Sequence, residues 1–273
     1  MRFHGITFAA TMTCCSRATS LRYKLVGRPI RRARGRLVEF RDVRVSRHWI
    51  ASGASRVDAV YVEPVGRAIE SAVLICHGIG EIVDGWLPVQ RLLAAHGVAS
   101  LVFDYSGYGR SKGPVNAAQF EGDAVAAFQN LQGLAPGLPV AILGFSLGSG
   151  VAAAIVNRVE VSRLVLCASF TSFREAALSI GVPRRFAAAV PDIWRAAESL
   201  RDCPVPVLVV HGDRDRLFPV TMAAELKSFC GPDSELVVVP SLGHNEPFHR
   251  PQSSYWGMIV SRLTPGVAAG SLL

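Results

Sequence analysis

The chain reads as an α/β protein, with a mostly parallel sheet of about eight strands, helices on both faces and a small helical cap. Three observations predict this. Short, largely apolar runs recur at 72–76, 98–103, 139–143, 163–167, 205–210 and 236–239, as strands buried on both faces require. Helical patterns separate these runs, and each parallel crossover needs such a helix. The run at 139–143 leads into Gly144-Phe145-Ser146-Leu147-Gly148 and then a small-residue helical stretch from Val151, a strand–turn–helix that bends tightly at the serine.

Residues 37–45 alternate apolar and polar side chains, as an edge strand with one wet face does. Residues 57–62 supply its partner, with Gly53 and Ser55 in the turn region. The strand at 72–76 ends in His77-Gly78-Ile79-Gly80-Glu81. Residues 86–96 then read as an amphipathic helix with Leu87, Val89, Leu92, Leu93 and Ala95 as apolar positions, stopped by Gly97. The strand at 98–103 runs into a glycine-rich loop, 104–111, which lacks the Lys-Ser/Thr ending of a phosphate-binding loop. Asp104 there is expected to satisfy nearby backbone donors. Residues 116–132 form a helix with Phe120, Ala124, Ala127, Phe128 and Leu131 on one side.

Between 168 and 204, helical patterns at 172–180, 184–190 and 192–200 are broken by Val182-Pro183 and Val190-Pro191. One is the crossover helix and the rest a small cap. The strand at 205–210 leads into His211-Gly212-Asp213-Arg214-Asp215, and helices are expected at 221–229 and 253–262. The ordered domain therefore spans 37–264, between a basic tail at 1–36 and a short tail at 265–273.

Charge is distributed unevenly. Of the 29 Lys and Arg, 12 lie in residues 1–48 with 2 acids, while the remainder of the chain is slightly acidic. The net charge of +8 thus belongs to the N-terminal segment, and a nucleic-acid-binding face is not indicated. Cys14-Cys15 and Arg28, Arg31, Arg32, Arg34 and Arg36 carry the chemistry of a membrane-facing segment, but a disordered tail is the simpler expectation. No apolar run reaches the roughly 18–20 residues that span a bilayer. The six cysteines, at 14, 15, 76, 167, 203 and 230, have no metal-ligand spacing. They read as free thiols in a reducing, cytoplasmic setting.

A serine hydroxyl is a weak nucleophile without a base in reach, and the base needs an orienting carboxylate. In an open α/β sheet such groups gather past the carboxyl ends of the strands. Ser146 is the candidate nucleophile. His244, beside Gly243 after the last strand, is the candidate base, with His249 as runner-up. Asp215 is the candidate acid; Asp213 is expected instead to cap its own turn. The N–H groups of Leu147 and Ile79 are candidate oxyanion donors. Gly78, Trp86 and Phe145 are candidates for contact with substrate, and Phe170, Phe218 and Phe248 are further aromatic residues that could wall a pocket or belong to the core. His77 and His211, each before a glycine, are expected to brace their loops.

With these residues in place, residues 57–263 resemble the α/β-hydrolase superfamily. The resemblance rests on His77-Gly78-Ile79-Gly80, Phe103-Asp104-Tyr105-Ser106-Gly107-Tyr108-Gly109-Arg110-Ser111, Gly144-Phe145-Ser146-Leu147-Gly148, His211-Gly212-Asp213-Arg214-Asp215 and Gly243-His244. The loop at 104–111 is most similar to the serine-aminopeptidase-like and Bem46-like hydrolases. The resemblance implies Ser146, Asp215 and His244 as the triad, no metal and no organic cofactor. The expected partner is a small acyl ester or thioester. An aminopeptidase or amidase on the same triad is the rival reading, with Glu81 the one candidate to hold a substrate amine. A non-catalytic binding protein on the same scaffold is the third.

Overall fold

The computed structural model describes residues 40–246 and 254–263. Eight strands form one sheet in the order β1-β2-β4-β3-β5-β6-β7-β8. They are β1 Val43–Ser52, β2 Ser55–Pro64, β3 Ser71–Cys76, β4 Val98–Phe103, β5 Val140–Phe145, β6 Arg163–Cys167, β7 Val207–Gly212 and β8 Glu235–Val239. β1 and β2 form an antiparallel hairpin, β2 runs antiparallel to β4, and every other pair is parallel. The expected architecture of a parallel sheet with an antiparallel start is the one observed.

Two differences have clear causes. β1 begins at Val43 and runs to Ser52, well past the expected end at Val45. The polar stretch Ser46-Arg47-His48 looks like a strand end in sequence. It stays in the strand because Arg47 Nη1 donates to Asp58 at 2.7 Å and its other amino group pairs with Asp84. On helix α1 (Leu87–Ala95), Ala95 is exposed and Gln90 is buried. The Gln90 amide donates to the carbonyls of Val60 and Ser100 at 3.0 and 3.2 Å, so a polar residue occupies a core position without an unmet donor.

Helices α2 (Ala117–Leu134), α3 (Leu147–Ile155) and α6 (Val220–Phe229) cover one face of the sheet. All five expected apolar positions of α2 are buried. Helices α1 and α7 (Ser254–Leu263) cover the other face, where Trp86, Leu93, Trp256 and Ile259 pack against β3, β4 and β5. The segment 168–204 forms α4 (Phe173–Ser179), a 3-10 turn (Arg184–Ala189) and α5 (Ala196–Arg201). α5 packs on α3 and α6 as the crossover helix, leaving α4 and the 3-10 turn as the cap. Cys76 and Cys167 are buried free thiols inside strands, and Cys203 and Cys230 are free and half-buried. The expectations for the basic tail 1–36, Cys14, Cys15, the strand start at 37–39, the tail at 265–273, Phe248 and His249 fall outside the described residues. Among the described residues, no helix is long and apolar enough to cross a membrane.

The register gathers the strand ends. Cys76 pairs with Gly144, Phe145 with Cys167, and Gly212 with Val239. The loops after β3, β5, β7 and β8 therefore leave the sheet along one edge.

Candidate active site

β5 ends at Phe145 and α3 begins at Leu147, so Ser146 alone turns the chain. Its backbone lies at φ 52 and ψ −118, a conformation that costs an L-residue on the order of 1–3 kcal/mol. The surroundings hold it there. The Ser146 N–H donates to the Cys167 carbonyl at 3.0 Å, extending the ladder with β6. The Ser149 N–H and hydroxyl both donate to the Ser146 carbonyl, at 2.9 and 2.7 Å. The two glycines of the pattern answer to sterics. A Cβ on Gly144 would lie 2.5 Å from the Gly148 carbonyl oxygen, and one on Gly148 would lie 1.9 Å from that of Cys76. Strand, turn and helix are thus in backbone contact, and α3 starts directly against the end of β3.

Ser146 Oγ lies 2.9 Å from His244 Nε2, and His244 Nδ1 lies 2.6 Å from Asp215 Oδ2. All three residues are buried. A carboxylate accepts, so the contact assigns the proton to Nδ1 and leaves the Nε2 lone pair facing the hydroxyl. Asp215 Oδ1 accepts from the N–H groups of Leu217 and Phe218 at 2.8 and 3.0 Å. Burial pushes the Asp215 carboxyl up, but the His244 bond and charge and these two N–H groups outweigh it. The net direction is below the usual carboxylate range. The Phe218 ring meets the imidazole edge-on at 5.1 Å between centroids, and Phe145 lies 5.7 Å away. Asp213 is exposed, and its backbone N–H bonds the Val239 carbonyl.

The flanking histidines act on loops. His211 Nε2 donates to the Phe218 carbonyl at 2.9 Å and lies 3.4 Å from Asp215 Oδ2. Burial holds the His211 imidazole below its ordinary value, which favours the neutral ring. His77 Nδ1 donates to the Gly78 carbonyl at 2.8 Å, and its Nε2 lies 3.5 Å from Asp104. Asp104 also accepts from the Val83 N–H at 2.9 Å, as expected of a structural acid.

The glycine beside His244 plays a smaller part than its position suggests. Gly243 has ordinary φ, and the nearest atom to an added Cβ would be 3.6 Å away. The loop instead turns at Ser241, a non-glycine at φ 62. Gly212 is the tight point, because its Cβ would lie 2.2 Å from the Leu242 carbonyl oxygen.

The loop after β3 carries a partnership that sequence did not reveal. Glu81 Oε2 accepts from the Gly78 N–H at 2.7 Å and from Trp86 Nε1 at 3.1 Å. Trp86 in turn packs edge-on against Phe145 at 6.0 Å. Burial raises the Glu81 carboxyl, opposed by the nearby His77, the Gly78 and Trp86 donors and His244. Gly78, Trp86 and Phe145 are all buried, with Trp86 packed on Phe145 and Phe145 on the His244 ring. Ile79, by contrast, is 42% exposed at the rim.

The α/β hydrolase fold family matches residues 71–196. An uncharacterized protein of Mycobacterium tuberculosis is 33% identical over 184 residues, covering 64% of this chain and 63% of its own. A lysophosphatidylserine lipase, ABHD12, of Danio rerio is 28% identical over 233 residues, covering 74% of this chain and 61% of its own. The chain thus spans about three fifths of the length of these relatives. Among solved structures, the Pyrococcus furiosus esterase Pf2001 superposes with a TM-score of 0.67 at 17% identity, over 86% of this chain and 97% of that one. An esterase from Exiguobacterium antarcticum superposes with a TM-score of 0.63 at 19% identity, over 79% and 98%.

Proposed function

We propose, from the α/β hydrolase fold of the sheet and the family match over residues 71–196, that the chain hydrolyses carboxylic esters or thioesters through an acyl-enzyme on Ser146. One observation carries the reading: the unbroken line from Ser146 Oγ through both nitrogens of His244 to Asp215, with links of 2.9 and 2.6 Å. Ser146 Oγ attacks the acyl carbon while its proton passes to His244 Nε2. Asp215 stabilises the imidazolium that forms and keeps Nδ1 protonated. The carbonyl electron pair moves onto oxygen, which the N–H groups of Leu147 and Ile79 receive. Each such donor contributes about 3 kcal/mol in the transition state. Collapse expels the alkoxide or thiolate, which takes the proton from Nε2. Water then attacks the acyl-enzyme with His244 again as base, releasing the acid and restoring the serine.

The esterases and the lysophosphatidylserine lipase named among the similar proteins agree with acyl-ester chemistry. The amidase alternative loses support, because the carboxylate expected to hold a substrate ammonium is already bonded to Gly78 and Trp86. The test is a p-nitrophenyl ester series of increasing acyl length, on wild type and on Ser146→Ala. Wild type is expected to turn over at least part of the series and the variant to fall by about 10⁴-fold or more. Equal rates from the two proteins overturn the reading.

A further inference from the structure

Glu81 is a half-buried carboxylate at the active-site edge that the triad does not use. Its two partners divide its role. One is the Gly78 N–H, on the loop that carries Ile79; the other is Trp86 Nε1, on the ring that packs on Phe145, itself packed on His244. The Gly78–Ile79 peptide is the unit that presents the Ile79 N–H. Its carbonyl, on Gly78, accepts from His77 Nδ1 at 2.8 Å. In a trans peptide the N–H points opposite to the C=O, so pinning the carbonyl toward His77 aims the Ile79 N–H away from it. The preceding peptide is pinned through the Gly78 N–H by Glu81. That N–H is consumed by the carboxylate, which leaves Ile79 as the donor free to serve an oxyanion. A side chain on Gly78 would crowd the same carboxylate, with all three carboxyl atoms 3.2 Å from an added Cβ.

We propose that Glu81 is a positioning residue for the oxyanion donor: by bonding Gly78 N–H and Trp86 Nε1 together, it fixes the loop at 77–80 to the Trp86 ring packed on Phe145. The inference rests on the acyl-enzyme reading above and assigns the residue that holds its oxyanion loop. Glu81 touches no reacting atom. Its effect runs through the orientation of the Ile79 N–H, and a misplacement of about 1 Å at such a donor costs on the order of 10²-fold in rate.

The test compares wild type with Glu81→Leu, Glu81→Gln and Trp86→Phe. Two readouts are used: ester hydrolysis, and inhibition by a trifluoromethyl ketone bearing the same acyl chain. That ketone takes the Ser146 oxygen at its carbonyl carbon, passes the hydroxyl proton to His244 and leaves an oxyanion, so it reads the donor site directly. Glu81→Leu is expected to lower kcat by about 10²-fold with KM within about 3-fold, and to weaken ketone binding in proportion. Glu81→Gln keeps an acceptor oxygen for both donors and is expected to stay within about 5-fold of wild type. Trp86→Phe keeps the packing, removes one tie and is expected to lose about 10-fold by the same pattern, which keeps the test available if Glu81→Leu does not fold. The inference is overturned if Glu81→Leu, or failing that Trp86→Phe, retains wild-type kcat, or loses it with ketone affinity unchanged. A wild-type protein that hydrolyses no ester and binds no ketone instead sinks the acyl-enzyme reading itself.

Discussion

The serine half and the histidine half of the site are held by different forces. Ser146 leaves a central strand whose six residues are all buried, and backbone contact between β5, α3 and β3 dictates its position. His244 and Asp215 leave β8 and β7 at the far edge of the sheet, and β8 is only partly covered. Side-chain hydrogen bonds place them: two N–H groups on Asp215 Oδ1, one imidazole on Oδ2. A steric lock fails abruptly when atoms are added. A hydrogen-bonded one fails when a partner is removed or changes its proton.

The largest expected effect breaks the steric half. Gly148→Ala drives a Cβ into the Cys76 carbonyl, and neither backbone can yield without moving the elbow. Destabilisation on the order of 3 kcal/mol or more is expected, with loss of ester hydrolysis, as read by urea denaturation and an activity assay. Next, Asp215→Asn breaks the hydrogen-bonded half. It should leave the fold intact by circular dichroism yet lower kcat by about 10⁴-fold, because the amide favours the wrong imidazole tautomer.

Lowering the pH sharpens the same contrast. The Asp215 carboxyl is held below its ordinary value when folded, so its contribution to stability is present above that ordinary value, near 3.8, and is lost as pH falls through the depressed folded value. The melting-temperature gap between wild type and Asp215→Asn should therefore be steady from pH 7 to about 5 and close in strong acid. A gap that widens in acid would contradict the assignment. The smallest effect is Gly243→Ala. With only ordinary van der Waals contacts for the added methyl and an ordinary φ, it should change stability by less than about 0.5 kcal/mol and leave kcat near wild type.

The same division explains what could be read from the sequence. The steric half was legible, because buried strands need apolar runs and a one-residue turn between strand and helix needs Gly144 and Gly148. The hydrogen-bonded half was legible only as candidates. Asp215 and Asp213 stand two residues apart after the same strand, and the exposure of Asp213 agrees with Asp215 as the acid. The bend at Ser241 has no sequence signal, since nothing marks a serine for positive φ, and Gly243 does not use the freedom a glycine offers. Gln90 carries no sequence signal for burial, because its partners, Val60 and Ser100, become neighbours only once β2 and β4 pair. Glu81 looked like an open acid because its bond to Trp86 depends on the 3-10 turn Val83–Trp86 bringing the indole back toward the loop.

The most direct measurement is covalent labelling of the folded wild-type protein with a fluorophosphonate, followed by peptide mass spectrometry. The account predicts a phosphonyl adduct on the peptide containing Ser146, formed as its oxygen displaces fluoride, and little labelling there in His244→Ala. A folded wild type whose Ser146 stays unmodified would contradict it.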